Sequence, residues 1–298
     1  RLRLRLRLRL RLRLRLRSLF VNVCLIFKIT YRTLWNCTQL SAASINDVGI
    51  NMLQLKYLEM TAMTLEFMLF DHNDVEVNVN ISKFTNLERL VLSGNIIHDT
   101  FMSQFPRFLN LTYLDMSRCC VYDVDEGIRH VPLIQSLTYL DISKCCGLTP
   151  LAFSALRSST TSNQKLKRLI VRNCMKIDSD PLWFDTISTM TSLTYLDIGG
   201  NMGLCCMLEF KKIQTLLSLE ILYVDEIPGD IDDTCFETIL ELKSLTYLNL
   251  DYPVRGLVTN NGLGQLKNNK KLMEINVKGH TVDDNVFAEF DGSKIIRF

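Results

Sequence analysis

Tyrosine and aspartate recur at fixed places in this sequence, and they are the side chains whose spacing most suggests chemistry. Four stretches are nearly the same: "NLTYLDMSRCC" begins at Asn110, "SLTYLDISKCC" at Ser136, "SLTYLDIGGN" at Ser192 and "SLTYLNLDYP" at Ser244. A tyrosine ring offers a large contact area at a low ordering cost, and a carboxylate attracts a cation. The pattern therefore favours binding of a positively charged protein segment over covalent catalysis.

The residue types that usually carry catalysis form no pattern of their own. The three cysteine doublets, at 119–120, 145–146 and 205–206, lack the CxxC spacing of zinc or redox sites. The stretch "GLGQLK", which contains Gly262, lacks the frame of a P-loop. The four histidines fall at scattered repeat positions without a recurring carboxylate or nucleophile beside them: His72, His98, His130 and His280. We therefore predict no enzyme, no catalytic residue, no metal and no cofactor.

The recurring residues must be positioned by a repeat, and its copies can be aligned on a leading leucine. The nine leading leucines are Leu55, Leu87, Leu111, Leu137, Leu166, Leu193, Leu219, Leu245 and Leu272. After a first interval of 32 residues, the spacing stays between 24 and 29. Each copy reads L-x-x-L-x-L-x-x-N/C, with the leading leucine as position one. One copy cannot bury its apolar face alone, so we predict that the copies stack and share a core.

Each copy is expected to contain a short strand followed by an inward-turning side chain. Alternation around positions four to six is typical of a strand packed on one face. Position nine holds a small polar or thiol side chain that can satisfy backbone groups where the chain leaves the strand. These residues are Asn95, Cys119, Cys145, Cys174 and Asn201. Because free buried thiols persist in a reducing compartment, we predict a cytoplasmic location.

The segments between the strands have the apolar spacing of helices. The stretch "IDDTCFETILELKSL" predicts a helix that Asp232 or Asp233 caps, and "DSDPLWFDTISTM" predicts one that Asp180 caps. The apolar stripe of the first comprises Ile231, Cys235, Phe236, Ile239 and Leu240. That of a third segment, "LEFKKIQTLLSL", comprises Phe210, Ile213, Leu216 and Leu217. A strand and a full helix need about the observed number of residues per copy, so we expect full helices.

From Leu55 to its C-terminus, the chain resembles leucine-rich-repeat proteins of the ribonuclease-inhibitor-like, cysteine-containing intracellular class. The resemblance rests on the nine in-phase copies and on Asn or Cys at position nine. It implies an α/β fold, a right-handed, curved solenoid with a parallel sheet on the concave face and helices on the convex face.

Within that family, the "LTYLDIS" cores, the cysteine doublets and the irregular spacing resemble the repeats of zyg-type substrate receptors. This implies a substrate-recognition subunit of a cullin-RING ubiquitin ligase, in the ubiquitin-like conjugation pathway, with a cullin adaptor as a partner. The adaptor box of such receptors has three residues between its leucine and its cysteine. Here four residues separate Leu19 from Cys24, which leaves open whether residues 18–38 bind an adaptor or form a capping helix.

The side chains that point away from the predicted core define the candidate binding surface, which the resemblance places on the concave face. They lie at positions three, five and seven of the copies. The candidates are Tyr113, Tyr139, Tyr195, Tyr247, Asp115, Asp141, Asp197, Tyr223, Asp225, Asp251, Arg168 and Arg172. Stacking aligns them into a tyrosine row, interrupted by Arg89 and Arg168, beside an acidic row. We expect these rows to bind a protein partner, and the carboxylates would favour a basic one.

A second interpretation of the same residues is structural. Aspartate at position five and tyrosine at position three belong to a duplicated unit, and the aspartates can form hydrogen bonds at the strand edge. Arg168 and Arg172 face the same surface, where they are expected to divide the acidic field and to pair with Asp141 or Asp197.

The N-terminal region differs from the repeats in composition. Residues 1–17 alternate Arg and Leu, which predicts a low-complexity, disordered tract, and residues 18–50 are expected to form a helical cap in front of a repeat domain at 51–298. Without the nine arginines of the tract, 25 basic residues face 32 acidic ones, a net charge of about −7. Residues 18–298 therefore lack the excess of basic residues that binding to a specific nucleic-acid partner would need. No apolar run of the chain is long enough to predict a transmembrane span.

Two other functions stay open at this point. The chain is also consistent with a stand-alone scaffold or inhibitor that binds its partner on the concave face. Alternatively, residues 1–27 lead a secreted or membrane-associated recognition protein, which the glycosylation triplets at Asn36, Asn80 and Asn110 would favour.

Overall fold

The repeat region is described over most of its length by a computed structural model. The described residues are 31–35, 54–61, 81–121, 127–145, 147–157, 165–174, 182–201, 207–226, 232–251, 257–280, 282–283, 286, 290 and 295–297. The predicted disordered tract at 1–17, the cap at Asp180 and most of the predicted helical cap at 18–50 lie outside these residues.

Eleven parallel strands form one sheet, and each pairs with its neighbours in sequence order. They are β1 (Tyr31–Trp35), β2 (Tyr57–Thr61), β3 (Arg89–Val91), β5 (Tyr113–Asp115), β7 (Tyr139–Asp141), β8 (Arg168–Ile170), β9 (Tyr195–Asp197), β10 (Ile221–Tyr223), β11 (Tyr247–Asn249), β12 (Glu274–Asn276) and β13 (Ile295–Arg297). A separate parallel pair consists of β4 (Ile96–Ile97) and β6 (Cys120–Val121). The nine predicted repeats supply β2 to β12 of the large sheet, which confirms them, and β1 and β13 add a strand at either end.

Strand β1 corrects the N-terminal prediction. Tyr31–Trp35 lies inside the range predicted to be helical, yet it pairs in parallel with β2, with Tyr31 opposite Tyr57. Its register places Arg32 opposite Leu58, so position four of this copy holds an arginine where the other copies have an apolar residue. The prediction of helix is therefore wrong for these five residues.

The register of the sheet keeps equivalent positions of successive copies side by side. Tyr113 pairs with Tyr139, and Leu114 with Leu140, across one strand boundary. The same alignment holds at the other pairs from β2 to β12. Because neighbouring strands lie about 4.8 Å apart, each repeat position becomes a row of side chains at that spacing.

The leucines form one continuous core, as predicted. Those at positions one and four, together with Ile275 at position four of the last copy, are at most 5% exposed, and they belong to a single cluster of buried side chains that runs through the copies. Replacing one such leucine, for example Leu114, by alanine would cost about 2–5 kcal/mol of stability.

The segments between the strands are shorter helices than predicted. The α-helices are Asp99–Met102, Pro150–Ser154, Leu182–Ser188, Met207–Phe210, Cys235–Glu241 and Asn260–Gly264. The 3₁₀ helices are Phe105–Arg107, Ile128–Leu133, Lys211–Thr215 and Gln265–Asn268. These segments pack on their neighbours along the solenoid, as the strands do. The expectation of full helices is wrong, since no α-helix in the described part of the chain exceeds seven residues.

Two details of the predicted helices are also wrong. Leu217 is 59% exposed, because the 3₁₀ helix before it ends at Thr215 and the backbone leaves the helical region at Leu216. Neither Asp232 nor Asp233 caps Cys235–Glu241. The Oδ1 of Asp232 accepts from the backbone N–H and the hydroxyl of Thr234, the residue directly before the helix, and Asp233 accepts from those of Thr259. Among the described residues, no helix has both the length and the apolar character needed to cross a membrane.

Candidate protein-binding face

The strands place positions three and five of each copy on the side of the sheet that faces away from the leucine core. We call this surface, together with position seven just beyond each strand, the sheet face. All twelve residues predicted for the site lie at these positions. Tyr113, Tyr139, Tyr195 and Tyr247 each begin a strand, whereas Asp115, Asp141, Asp197 and Tyr223 each end one.

The tyrosines and arginines of the sheet face stack on one another across the strands. The Cζ atom of Arg89 lies 5.4 Å from the ring centroid of Tyr57 and 3.4 Å from that of Tyr113. Tyr113 stacks in turn on Tyr139, with 3.9 Å between ring centroids and 11° between ring planes. Such stacking follows from the register, because equivalent side chains stand one strand spacing apart.

The stacking continues through the second half of the face. The Cζ atom of Arg168 lies 5.6 Å from the ring centroid of Tyr139 and 3.6 Å from that of Tyr195. Tyr223 follows at 5.5 Å from Tyr195 and at 5.0 Å from Tyr247, measured between ring centroids. The aromatic ladder thus comprises Tyr57, Arg89, Tyr113, Tyr139, Arg168, Tyr195, Tyr223 and Tyr247. The prediction that the arginines interrupt the tyrosine row is therefore corrected, because their guanidinium groups pack on the tyrosine rings.

The hydroxyls of Tyr139 and Tyr195 keep their protons at neutral pH. Partial burial raises the pKa of Tyr195 to about 12, and the charge of Asp197 adds to the effect. Burial, followed by the hydrogen bond with Tyr113, also raises the pKa of Tyr139. These two side chains therefore present neutral hydroxyls that can both donate and accept hydrogen bonds.

The aspartates at position five form hydrogen bonds that turn the chain at the strand edge, as the structural interpretation predicts. The Oδ1 atom of Asp141 accepts from the backbone N–H of Ser143 at 2.9 Å and from its hydroxyl at 2.6 Å. The equivalent acceptors elsewhere are Asp115, Asp197, Asn249 and Asn276, each bonded to the backbone N–H two residues later. Aspartate and asparagine are interchangeable in this role, since either supplies the side-chain oxygen.

This turn also requires an unusual backbone conformation that sequence reasoning missed. The residue at position eight has a positive φ in seven copies: Gly94, Arg118, Lys144, Asn173, Gly200, Glu226 and Gly279. Only three of the seven are glycines, so the sequence carries no uniform glycine signal for it. The conformation tilts the chain away from the sheet, so that position nine can enter the core.

Where position nine holds Asn or Cys, its side chain joins the copy to the preceding one through a buried hydrogen bond. The thiol of Cys145 donates to the carbonyl of Met116 at 3.1 Å, and that of Cys119 donates to Leu92 at the same distance. Asn201 extends the pattern, because its Nδ2 donates to the carbonyl of Val171 at 2.7 Å. The predicted inward turn of position nine is confirmed.

The same burial makes these thiols poor nucleophiles. Desolvation raises the pKa values of Cys119 and Cys174 to about 12, and it raises that of Cys145 as well. His280 takes position nine in the last of the nine copies, with its Nε2 2.5 Å from the carbonyl oxygen of Leu250. Within the described ranges, no three His, Cys, Asp or Glu side chains form a group that could hold a metal ion.

Arg172 forms the densest charge cluster on the sheet face. Its Nη1 lies 3.1 Å from Asp197 Oδ1 and 2.9 Å from Asp225 Oδ1, while Nη2 contacts Asp225 Oδ2 and Glu226. The predicted pairing of Arg172 with Asp197 is confirmed, whereas Arg168 stacks on tyrosines. Burial raises the pKa of Asp197 even beside this cation, while the hydrogen bond with Asp225 raises that of Arg172.

A glycine makes room for this cluster. Gly199 occupies position seven of the copy between those of Arg172 and Asp225. A Cβ atom there would lie 2.4 Å from Arg172 Nη1 and 2.9 Å from the backbone oxygen of Asp225. The guanidinium therefore crosses one whole copy over a bare backbone.

The continuous parallel sheet, the in-phase leucines and the position-nine hydrogen bonds define this chain as an α/β leucine-rich-repeat solenoid. The aromatic ladder lies on the side of this solenoid that faces away from the leucine core.

Comparison with known proteins adds three structures of similar shape. The first is an internalin (inlF) from Listeria monocytogenes, with 15% sequence identity and a TM-score of 0.46, and the match covers 90% of this chain and 58% of the internalin. The second is an internalin C2 (inlC2) from the same organism, with 17% identity and a TM-score of 0.49, and the match covers 82% of this chain and 84% of that one. The third is TLR13 in a complex with ssRNA13, with 19% identity and a TM-score of 0.49 over 80% of this chain and 30% of that one. No protein-family model and no curated protein matches the chain.

Proposed function

We propose that this chain is a non-enzymatic protein-binding module whose partner contacts the sheet face. The observation that carries the proposal is the aromatic ladder, which extends from β2 to β11 outside the leucine core. Tyrosine and arginine are the residues most enriched in the energetic centres of protein interfaces. Because the rings are already held by their neighbours, little side-chain freedom would be lost when a partner binds.

A photo-crosslinking amino acid in place of Tyr195 tests the proposal. We expect it to link a partner protein in cells, while the same group at Leu151 does not. Leu151 is a suitable control because it is 62% exposed and lies on the helix Pro150–Ser154, away from the sheet face. A partner that links equally at both positions, or at Leu151 alone, would remove the sheet face as the binding surface.

A second step of the proposal names the assembly: a substrate-recognition subunit of a cytoplasmic cullin-RING ubiquitin ligase, with the crosslinked partner as its substrate. Its support is the resemblance of the "LTYLDIS" cores and the cysteine doublets to zyg-type repeats. Affinity purification of the full chain should recover a cullin and its adaptor. Recovery of the sheet-face partner without either would favour a stand-alone scaffold or inhibitor.

The remaining alternative, a secreted or membrane-associated recognition protein, has its own readout. Asn110 is exposed and belongs to a glycosylation triplet, whereas Asn36 lies outside the described residues. Glycosidase treatment should leave the gel mobility of the cellular protein unchanged if the cytoplasmic proposal is right. A shift that the Asn110→Gln variant abolishes would contradict it.

A further inference from the structure

The charges of the chain are distributed unevenly along the repeats. Residues 18–298 carry a net charge of about −7, yet the 36 residues from Ile142 to Ile177 contain no aspartate or glutamate. The same stretch contains seven basic residues: Lys144, Arg157, Lys165, Lys167, Arg168, Arg172 and Lys176. Three of them lie around the start of strand β8, and we call these three the basic site: Lys165, Lys167 and Arg168.

The central lysine of the basic site lacks the ion pair that its repeat position forms elsewhere. Lys167 occupies position two, where Lys56 and Glu88 of two adjacent copies pair at 2.5 Å between Nζ and Oε1. The neighbours of Lys167 at position two are Thr138 and Thr194, whose hydroxyls donate to backbone carbonyls. Side chains at position two can therefore reach one another, but no carboxylate stands beside Lys167 in this row.

Lys165 and Arg168 complete the basic site on either side of Lys167. All three side chains are exposed, and among the described residues no carboxylate forms an ion pair with either lysine. Arg168 stacks on Tyr195 at 3.6 Å from Cζ to the ring centroid. A guanidinium that stacks through its face keeps N–H donors in its plane for a carboxylate.

The carboxylates near the basic site are bonded within the chain. Asp115, Asp141 and Asp197 each accept a hydrogen bond from the backbone N–H two residues later, and Asp197 also pairs with Arg172. These three carboxylates are buried or half-buried, whereas the cations of the basic site are exposed. The charges that this part of the sheet face presents are therefore positive, and they favour an acidic partner segment.

The aromatic ladder favours a protein segment over a nucleic acid at the basic site. Single-stranded nucleic acids bind by stacking their bases on aromatic rings. Here Tyr139 lies between Tyr113 and Arg168, and Tyr195 lies between Arg168 and Tyr223. Both rings already have a neighbour from the strand on either side, whereas a carboxylate needs only a cation and a hydrogen-bond donor.

We infer that the basic site, formed by Lys165, Lys167 and Arg168, binds an acidic segment of the partner protein. Aspartate or glutamate side chains of this segment lie against the two lysines, and one of them accepts hydrogen bonds from the edge of the Arg168 guanidinium. Hydrogen bonds between charged groups are about twice as strong as those between neutral ones. This inference rests on the proposed function, because it states the charge of the segment that contacts the sheet face.

Fluorescence anisotropy with labelled probes tests the inference on the full chain. The probes are a peptide of alternating glutamate and serine, the same peptide with glutamine in place of glutamate, and an oligouridine of the same net charge as the glutamate peptide. We expect the glutamate peptide to bind more tightly than the glutamine peptide and to lose affinity as salt is added. The nine arginines of residues 1–17 can attract any anion, so the deciding measurement is the effect of substitutions in the basic site.

Two double variants locate the binding: Lys165→Gln with Lys167→Gln in the basic site, and Lys271→Gln with Lys56→Gln as the matched control. The control lysines occupy the same repeat positions in other copies, so both variants remove the same charge. The basic-site variant should weaken the glutamate peptide by about two- to twentyfold, the size of two exposed ion pairs, and the control by less than about twofold. Oligouridine should respond equally to both variants.

Two results would overturn the inference. Equal effects of the two double variants on the glutamate peptide would show that the basic site does not hold it. A greater loss of oligouridine than of the glutamate peptide in the basic-site variant would indicate a nucleic-acid site instead. Circular dichroism of each variant must match that of the unmodified chain, so that lost binding is not lost folding.

The two proposals fail in different ways. If crosslinking places the partner at Tyr195 but the two double variants behave alike, the proposed function stands and the acidic segment is lost. If the basic site binds the glutamate peptide but no partner links at Tyr195, the basic site stands and the proposed function is lost.

Discussion

Arg172 and Asp225 lie 53 residues apart in sequence, and they form a double hydrogen bond across the copy that separates them. The Asp225 side chain is only 6% exposed, and the Arg172 side chain is 23% exposed. A carboxylate this buried depends on its cation, since an unpaired charge in such a place is strongly unfavourable. The pair therefore couples copies that share no strand contact.

The first prediction compares two arginines on the same strand-and-turn segment. Arg172→Met should lower the free energy of unfolding by about 3 kcal/mol, because it leaves Asp225 buried without a partner. Arg168→Met, the same substitution four residues earlier, should cost at most about 1 kcal/mol, because it removes only exposed cation–π contacts. Urea unfolding monitored by circular dichroism measures both. Equal losses would contradict a special role for the Arg172 cluster.

The second prediction concerns the glycine beneath that cluster. Gly199→Ala should destabilise the chain, because the new Cβ would displace the Arg172 guanidinium. Combined with Arg172→Met, the same change should cost less than it does alone, since its nearest clash is gone. A double-mutant cycle from thermal melts gives this coupling, and strictly additive losses would show that the guanidinium is not what Gly199 accommodates.

The third prediction separates the structural role of Asp141 from its charge. Asp141→Asn should keep the melting temperature or raise it slightly, because asparagine performs the same turn at Asn249 and Asn276. Burial raises the pKa of Asp141, so the folded state binds its proton more readily than the unfolded state, and ionisation at neutral pH opposes folding. Asp141→Leu should cost about 1 kcal/mol, because the Ser143 backbone N–H loses its acceptor. A large loss with asparagine would argue that the charge itself holds the turn.

The fourth prediction is a loss of stability in mild acid through His280. The backbone N–H of Val258 donates to its Nδ1 at 3.3 Å, so the ring is neutral with its proton on Nε2, facing the Leu250 carbonyl. Burial lowers the pKa of His280, although the Leu250 carbonyl and the charge of Asp251 oppose this. The unfolded state therefore takes up the proton first. The contribution of neutral His280 to stability is complete above about pH 6.5, and it is lost as the pH falls from there through the lower pKa that His280 has in the folded state.

His280→Asn provides the comparison for this titration. Asparagine occupies position nine at Asn95 and Asn201 and donates there to the same type of carbonyl. Between pH 8 and pH 5, the melting temperature of the unmodified chain should fall by a few degrees more than that of the variant. Parallel curves for the two proteins would show that His280 does not titrate with folding.

The sequence predicted the features that depend on repetition alone. The leucines at positions one and four recur in phase, and the inward turn of Cys145 follows from its place after them, so the strands, the core and the position-nine hydrogen bonds could be predicted. The strand Tyr31–Trp35 could not, because its register sets Arg32 where the other copies have an apolar residue. The left-handed residues at position eight share no side-chain type, as Arg118 and Gly200 illustrate.

The candidate site was predicted in position but not in interaction. The repeat places Arg168 and Asp141 on the same surface, and opposite charges alone suggest that they pair. The structure instead uses Asp141 for the turn at Ser143 and stacks Arg168 on Tyr195. Which of these contacts forms depends on the 4.8 Å strand spacing and on side-chain reach, neither of which a one-dimensional pattern contains.

The hydrogen bonds at position nine give the solenoid a polarity. The side chains at Asn95, Cys119, Cys145, Cys174 and Asn201 each donate to a carbonyl of the copy before them, as Asn95 does to Met60, and so these five copies depend on their predecessors for an acceptor. Deleting the copy that contains Met60 would take one of its two carbonyl acceptors from the buried Asn95 amide, whereas deleting the copy that contains His280 would expose the Leu250 carbonyl and N–H at a new end that water can reach. Shortened versions of this protein should therefore tolerate trimming from the C-terminal end better than trimming from the other.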